Sequence, residues 1–179
     1  MPKVIENVRE KIIEEARKEI GEIGYEGMTV RGIAKALNIG VGTLYNYFDN
    51  KEAVVSAYMV EEWHVTYSVI DNEVKKYKHP MDISEVIFRE IEQFVRDHKT
   101  LFFDREARKA YAASYITRHG MFVRLLHGYL EKPCEEYAVN YTPYLPDFLI
   151  ENILNMVLSG IPITTYKEIL KPLFKEENK

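Results

Sequence analysis

The chain has 179 residues, 46% of them hydrophobic and 29% charged, with a net charge of −4. That is the profile of a globular protein long enough to bury about 70% of its unfolded surface, and the acidity argues against a nonspecific nucleic-acid coat. Met1-Pro2-Lys3 leads straight into charged residues and no apolar run approaches the roughly 18 residues of a bilayer span, so no secretory or membrane segment is expected; the one cysteine, Cys134, excludes an internal disulfide and fits a reducing cytoplasm.

Ile5, Val8, Ile12, Ala16, Ile20 and Ile23 recur at three- and four-residue steps and predict a first amphipathic helix that Gly24 stops. Thr29 is placed to cap a second, in which Val30, Ile33, Ala34 and Leu37 share one face and Asn38 suits the left-handed position after it. A short third helix is expected from Gly42, so that two helices joined by a tight turn make a helix-turn-helix. Asn50 is a good cap for a long helix running to about Tyr77, where Lys78-His79-Pro80 ends it. Residues 82–98 predict a further helix: Asp82 and Glu85 read as a capping box, Ile83, Ile87, Ile91, Phe94 and Val95 line its core face, and Glu85/Arg89 and Glu92/Arg96 pair across turns. Helices over about 101–117, 120–139, 147–160 and 165–175 complete an all-α chain, with Pro172 kinking or ending the last. No hairpin signal and no internal repeat interrupts this pattern.

The third helix carries the chemistry. Leu44 and Phe48 lie one turn apart and can anchor it, which leaves Thr43, Asn46 and Tyr47 on the outer side. So short a helix cannot stand alone, and a major groove admits an α-helix: a Thr methyl can meet a thymine methyl and Asn can read adenine, while tyrosine and backbone N–H groups suit phosphates. Lys51 places a cation in a first helical turn, against the helix dipole, which makes sense where a phosphate sits. Between Thr29 and Lys51 there are three bases and one acid on an otherwise acidic chain, a small local excess of the required sign. Helix-turn-helix geometry also occurs in proteins that never touch DNA, and Arg31 and Lys35 taken singly read as solvated surface residues.

Residues 28–55, MTVRGIAKALNIGVGTLYNYFDNKEAVV, resemble the DNA-binding signature of the tetracycline-repressor (TetR) family of bacterial regulators. The likeness rests on Thr29, Arg31, Ile33-Ala34, Gly42-Thr43-Leu44-Tyr45, Tyr47-Phe48 and Lys51. It implies a three-helix DNA-binding domain over 1–50 and a helical ligand-binding and dimerisation domain over 51–179. It nominates Thr29, Arg31, Gly40, Val41, Gly42, Thr43, Tyr45, Asn46, Tyr47 and Lys51 as the DNA-binding set. Asn38 and Gly40 stand where the family usually has Gly and Ser; Asn tolerates the left-handed turn and Gly can still cap, with the loss of one hydroxyl that could touch phosphate.

Eighteen of the 22 aromatic residues lie beyond residue 50. As the resemblance implies, some should line a pocket for a small apolar or aromatic effector, with Trp63, Tyr67, Phe88, Phe102, Tyr111, Tyr115 and Phe122 as candidates; the competing reading of each is a core position. In residues 146–161, Leu149, Ile150, Ile153, Leu154, Val157, Leu158 and Ile161 form an apolar arc wider than one core face needs, which suggests a dimer through Ile150, Leu154, Val157, Leu158 and Ile161. Five histidines show no HExxH spacing, there is no CxxC and no phosphate-binding glycine loop, so no enzyme, metal or cofactor is expected. The reading is a cytoplasmic, dimeric repressor of a near-palindromic operator, released when ligand tilts the helix after Asn50. A helical ligand-binding or interaction module without operator recognition is the alternative.

Overall fold

The computed structural model describes residues 6–175, and the side chains of that range apart from 110–119. Nine α-helices and one 3-10 turn occupy the described residues: α1 (Val8–Gly27), α2 (Val30–Ala36), α3 (Val41–Tyr45), α4 (Lys51–Val74), α5 (Pro80–Asp97), α6 (Lys99–Phe102), α7 (Arg105–Tyr137), α8 (Leu145–Leu158), α9 (Ile163–Leu170) and the turn Lys171–Leu173. Within the described residues they form two compact units, one of 6–64 and 98–113, the other of 65–97 and 114–175.

The first unit is built on the stripe of α1. Ile12, Ala16 and Ile20 are buried, joined by Ile13, against Val30, Ile33 and Ala34 of α2, Leu44 of α3 and Phe48. The stripe ends one turn early: Ile23 is 56% exposed. Gly24 takes φ 75° and kinks the helix there, and Tyr25, three residues before Met28, enters the core instead. The unit also extends beyond residue 50, because Val54, Val55 and Tyr58 of α4, with Leu101 and Ala107, pack in the same core.

Capping follows the sequence closely here. The Thr29 hydroxyl accepts from the Gly32 N–H at 2.9 Å and the Asn50 side chain from Ala53 N–H at 2.7 Å. Asn38 holds φ 53° in the turn between α2 and α3. Asn38→Val is therefore expected to cost about 1–2 kcal/mol, since a β-branched residue resists the left-handed region, whereas Asn38→Gly leaves the melting temperature level or raises it; thermal unfolding followed by circular dichroism separates the two.

In the second unit α5 packs on α8 and α9, with Ile83, Ile87, Phe88, Ile91, Leu149, Ile150, Ile153 and Tyr166 in its core. The capping box expected at Asp82 and Glu85 is absent. Pro80 opens α5 two residues earlier, the His79 ring accepts from Met81 N–H at 3.2 Å, and Glu85 pairs with Lys167 of α9. The expected pair Glu92–Arg96 is made at 3.0 Å. The break expected near Gly120 does not occur: α7 runs unbroken over 33 residues and carries Pro133 inside it. A lone glycine costs a helix only about 1 kcal/mol, which the length of α7 absorbs. Pro172 acts as expected, α9 ending at Leu170 in a 3-10 turn. An isolated bridge between Ala138 and Phe174 is the extended pairing among the described residues.

Candidate DNA-binding surface

All ten residues of the expected DNA-binding set belong to the first unit. α3 begins on Gly40, whose carbonyl accepts from the N–H groups of Thr43 and Leu44 at 2.9 and 3.2 Å. Its regular part is shorter than expected, five residues, but Phe48 N–H still reaches the Leu44 carbonyl at 3.1 Å. Leu44 is wholly buried and Phe48 nearly so, with the Arg9 guanidinium 5.4 Å from the centre of its ring. Val41 is partly buried against the same core.

The opposite side is open. Gly42 and Asn46 are exposed, Tyr45 and Tyr47 are 50% and 47% exposed, and Thr43 is half-buried. A Cβ built at Gly42 meets nothing within 4 Å, and one at Gly40 would touch only the Thr43 hydroxyl at 3.5 Å; a serine at position 40 would fit without strain. Thr29 and Arg31, on the first turn of α2, are exposed. The Thr29 oxygen accepts the capping bond, which leaves its proton free to donate to a phosphate oxygen.

Lys51 is placed differently from the free cation that its position suggests. Its ammonium donates to the Tyr25 carbonyl and lies 4.1 Å over the Tyr25 ring. Burial lowers its pKa below the ordinary lysine value, with Glu52 opposing the shift. Tyr25 in turn donates its hydroxyl to Glu52 at 3.2 Å, and burial together with that carboxylate pushes its pKa up to about 12. These residues, with Glu26, Glu106 and Lys109, line an open cleft of about 510 Å³. Tyr25 thus organises the start of α4, a role with no local signature because its partners lie 26 and 27 residues away.

The aromatic candidates for an effector pocket divide between the units. Trp63 and Phe102 are half-buried in the first; Tyr67 and Phe122 are half-buried in the second. Phe88 is a core residue, packed at 5.8 Å on the Tyr166 ring. The side chains of Tyr111 and Tyr115 lie outside the described residues. Tyr129 donates to Asp71 at 2.6 Å, so at 2.9 Å it accepts from the Tyr67 hydroxyl. Of the expected dimer residues, Ile150 and Val157 are buried in the chain's own core and are unavailable to a partner, because α8 turns that side toward α5. Leu154 is half-buried, and Leu158 and Ile161 are exposed.

Burial pushes the Cys134 thiol up to about 12, far from a nucleophile at neutral pH. Among the described residues no group of three His, Cys, Asp or Glu side chains is placed to hold a metal ion, and no helix is long and apolar enough to cross a membrane.

Residues 12–58, which span α1 to the first turns of α4, match the profile of the bacterial regulatory proteins of the tetR family. An HTH-type transcriptional regulator of Staphylococcus aureus is 27% identical over 180 residues, covering 97% of this chain and 95% of its own. Among solved structures, PfiT, described as a superantigen, superposes with a TM-score of 0.67 at 16% identity, over 96% of this chain and 98% of its own. AibR, solved with isovaleryl coenzyme A and operator DNA, superposes with a TM-score of 0.57 at 19% identity, over 93% of this chain and 99% of its own. At these identities the structural likeness establishes the fold alone.

Proposed function

We propose that this chain, whose residues 12–58 match the bacterial regulatory proteins of the tetR family, is a DNA-binding transcriptional repressor that releases its operator on binding a small molecule. The observation that carries this reading is α3: a helix too short to stand alone is pinned by Leu44 and Phe48 while Gly42, Tyr45, Asn46 and Tyr47 stay open. Thr43 and Asn46 read base edges; Tyr45, Tyr47, Arg31, Lys51 and the Thr29–Gly42 backbone hold phosphates. Two copies, joined through Leu154, Leu158 and Ile161 of α8 and its end, set two such helices in successive major grooves of a near-palindromic site, about 34–36 Å apart or somewhat more.

The effector is a small apolar or aromatic molecule. That AibR was solved with isovaleryl coenzyme A and operator DNA supports a small-molecule effector for this fold. Ligand must favour the released state over the DNA-bound one by a few kcal/mol to switch the protein, which a tilt of α4 would accomplish. The protein is cytoplasmic in this reading, and its regulator relatives support a role without catalysis.

Selection from random-sequence DNA tests it. A near-palindrome should be enriched by the full chain at low salt; no enrichment would return the protein to the class of ligand-binding or interaction modules. With that site in hand, Thr43→Ala is expected to relax preference at one base pair, by about 1–3 kcal/mol of discrimination, in a binding profile over single-base variants. An unchanged profile removes Thr43 from the reading set.

A further inference from the structure

Four side chains of the first unit close a ring. Arg17 of α1 places Nη2 2.6 Å from Glu62 Oε1, and Glu62 Oε2 lies 3.4 Å from His98 Nε2. The His98 and Tyr58 rings pack with their centres 5.6 Å apart, and the Arg17 guanidinium sits 5.5 Å over that same Tyr58 ring. Glu61 adds a second acid within 3.7 Å of Arg9 and 4.0 Å of Arg17. Depth separates this group from ordinary surface pairs. His98 is 6% exposed, the one basic side chain among the buried residues described, and Tyr58 is buried beside it. Exposed pairs such as Arg96–Glu92 contribute little; here the Arg17 and Glu62 side chains are 46% and 25% exposed, and the geometry-dependent part of the group is the buried His98 and Tyr58.

The ring ties three stretches together. The His98 carbonyl accepts from Leu101 and Phe102 N–H at 2.8 and 3.2 Å, which starts α6. Glu62 and Tyr58 lie on α4, the helix whose first turn carries Lys51 and whose Val54 and Val55 share a core with Leu44 of α3. Arg17 lies on α1, whose Ile13, Ala16 and Ile20 complete that core.

We propose, building on the DNA-binding reading above, that His98 is a positioning residue for DNA recognition: through Glu62 and Tyr58 it fixes α4 against α1 and so holds α3 and Lys51 in the geometry that meets the duplex. A loosened α4 must be ordered again at each binding event, and affinity falls across all sequences.

The test uses the full chain and the DNA that the wild-type protein enriches. H98L keeps the bulk of the side chain and removes both ring nitrogens, and with them the 3.4 Å contact with the Glu62 carboxylate; it is expected to bind about tenfold more weakly. H98Q, whose amide can donate to Glu62, recovers most of that loss. E62Q weakens binding by a similar factor, and the E62Q/H98L double variant binds no more weakly than E62Q alone, because both changes break the same link. Wild-type affinity in H98L, no recovery in H98Q, or additive losses in the double variant would each overturn the assignment. A wild-type protein that enriches no DNA removes instead the reading on which it rests.

Discussion

Leu44→Ala is expected to destabilise the first unit by about 2–5 kcal/mol and to abolish enrichment of operator DNA. Leu44 is wholly buried, in a core that Ile12, Ala16, Ile33, Phe48 and Val54 complete. α3 has five residues in regular helix, far below the length at which a helix holds itself, so its order depends on that anchor. Truncation leaves a cavity and also withdraws the reason for residues 42–48 to be helical. Denaturant unfolding measures the first effect; hydrogen exchange at the amides of Asn46, Tyr47 and Phe48, whose N–H groups bond back to Gly42, Thr43 and Leu44, measures the second. Tyr45→Ala provides the contrast. Half-exposed, it should move stability by no more than about 0.5 kcal/mol yet weaken DNA binding. Equal stability losses in the two variants would mean that α3 is not pinned from one side.

That contrast also marks what the amino-acid order could reveal. Helical periodicity reports which face of an element is apolar, so the α1 and α2 stripes, the Thr29 and Asn50 caps and the left-handed Asn38 were legible from neighbours three or four residues away. Periodicity says nothing of where a partner helix stops. Ile23 continues the α1 stripe in register and is nonetheless exposed, at the residue before the Gly24 kink. Ile150 and Val157 look surplus to one core face and are buried in that core, because α5 lies against α8. The break expected between the helices over 101–117 and 120–139 ignores the stabilising length that α7 has on either side of it. Tyr25 with Lys51 and Arg17 with Glu62 and His98 are separated by 26 to 81 residues and join through the fold alone. The candidate surface was readable because its logic is local, a short helix with one buried side. The groups that brace it were not.

Lys51→Ala is expected to weaken binding to every sequence and to lower the slope of log affinity against log salt by roughly one, the signature of a single lost phosphate contact. The physical question is whether an ammonium already seated on Tyr25 has capacity for a phosphate. It carries three N–H donors, and the Tyr25 carbonyl takes one while the ring faces the cation from one side. The remaining donors and the partial exposure of the residue allow phosphate to be bound without leaving the seat. Tyr25 also answers why a cation tolerates the first turn of α4: a carbonyl and an aromatic face offset the unfavourable dipole. A double role therefore separates cleanly by titration with salt. If Lys51→Ala weakens binding with the slope unchanged, the residue is a latch between the end of α1 and the start of α4 and touches no phosphate. If it alters sequence preference alone, the ammonium reaches a base edge, and the surface assigned to backbone contact must be redrawn around Tyr45, Tyr47 and Arg31.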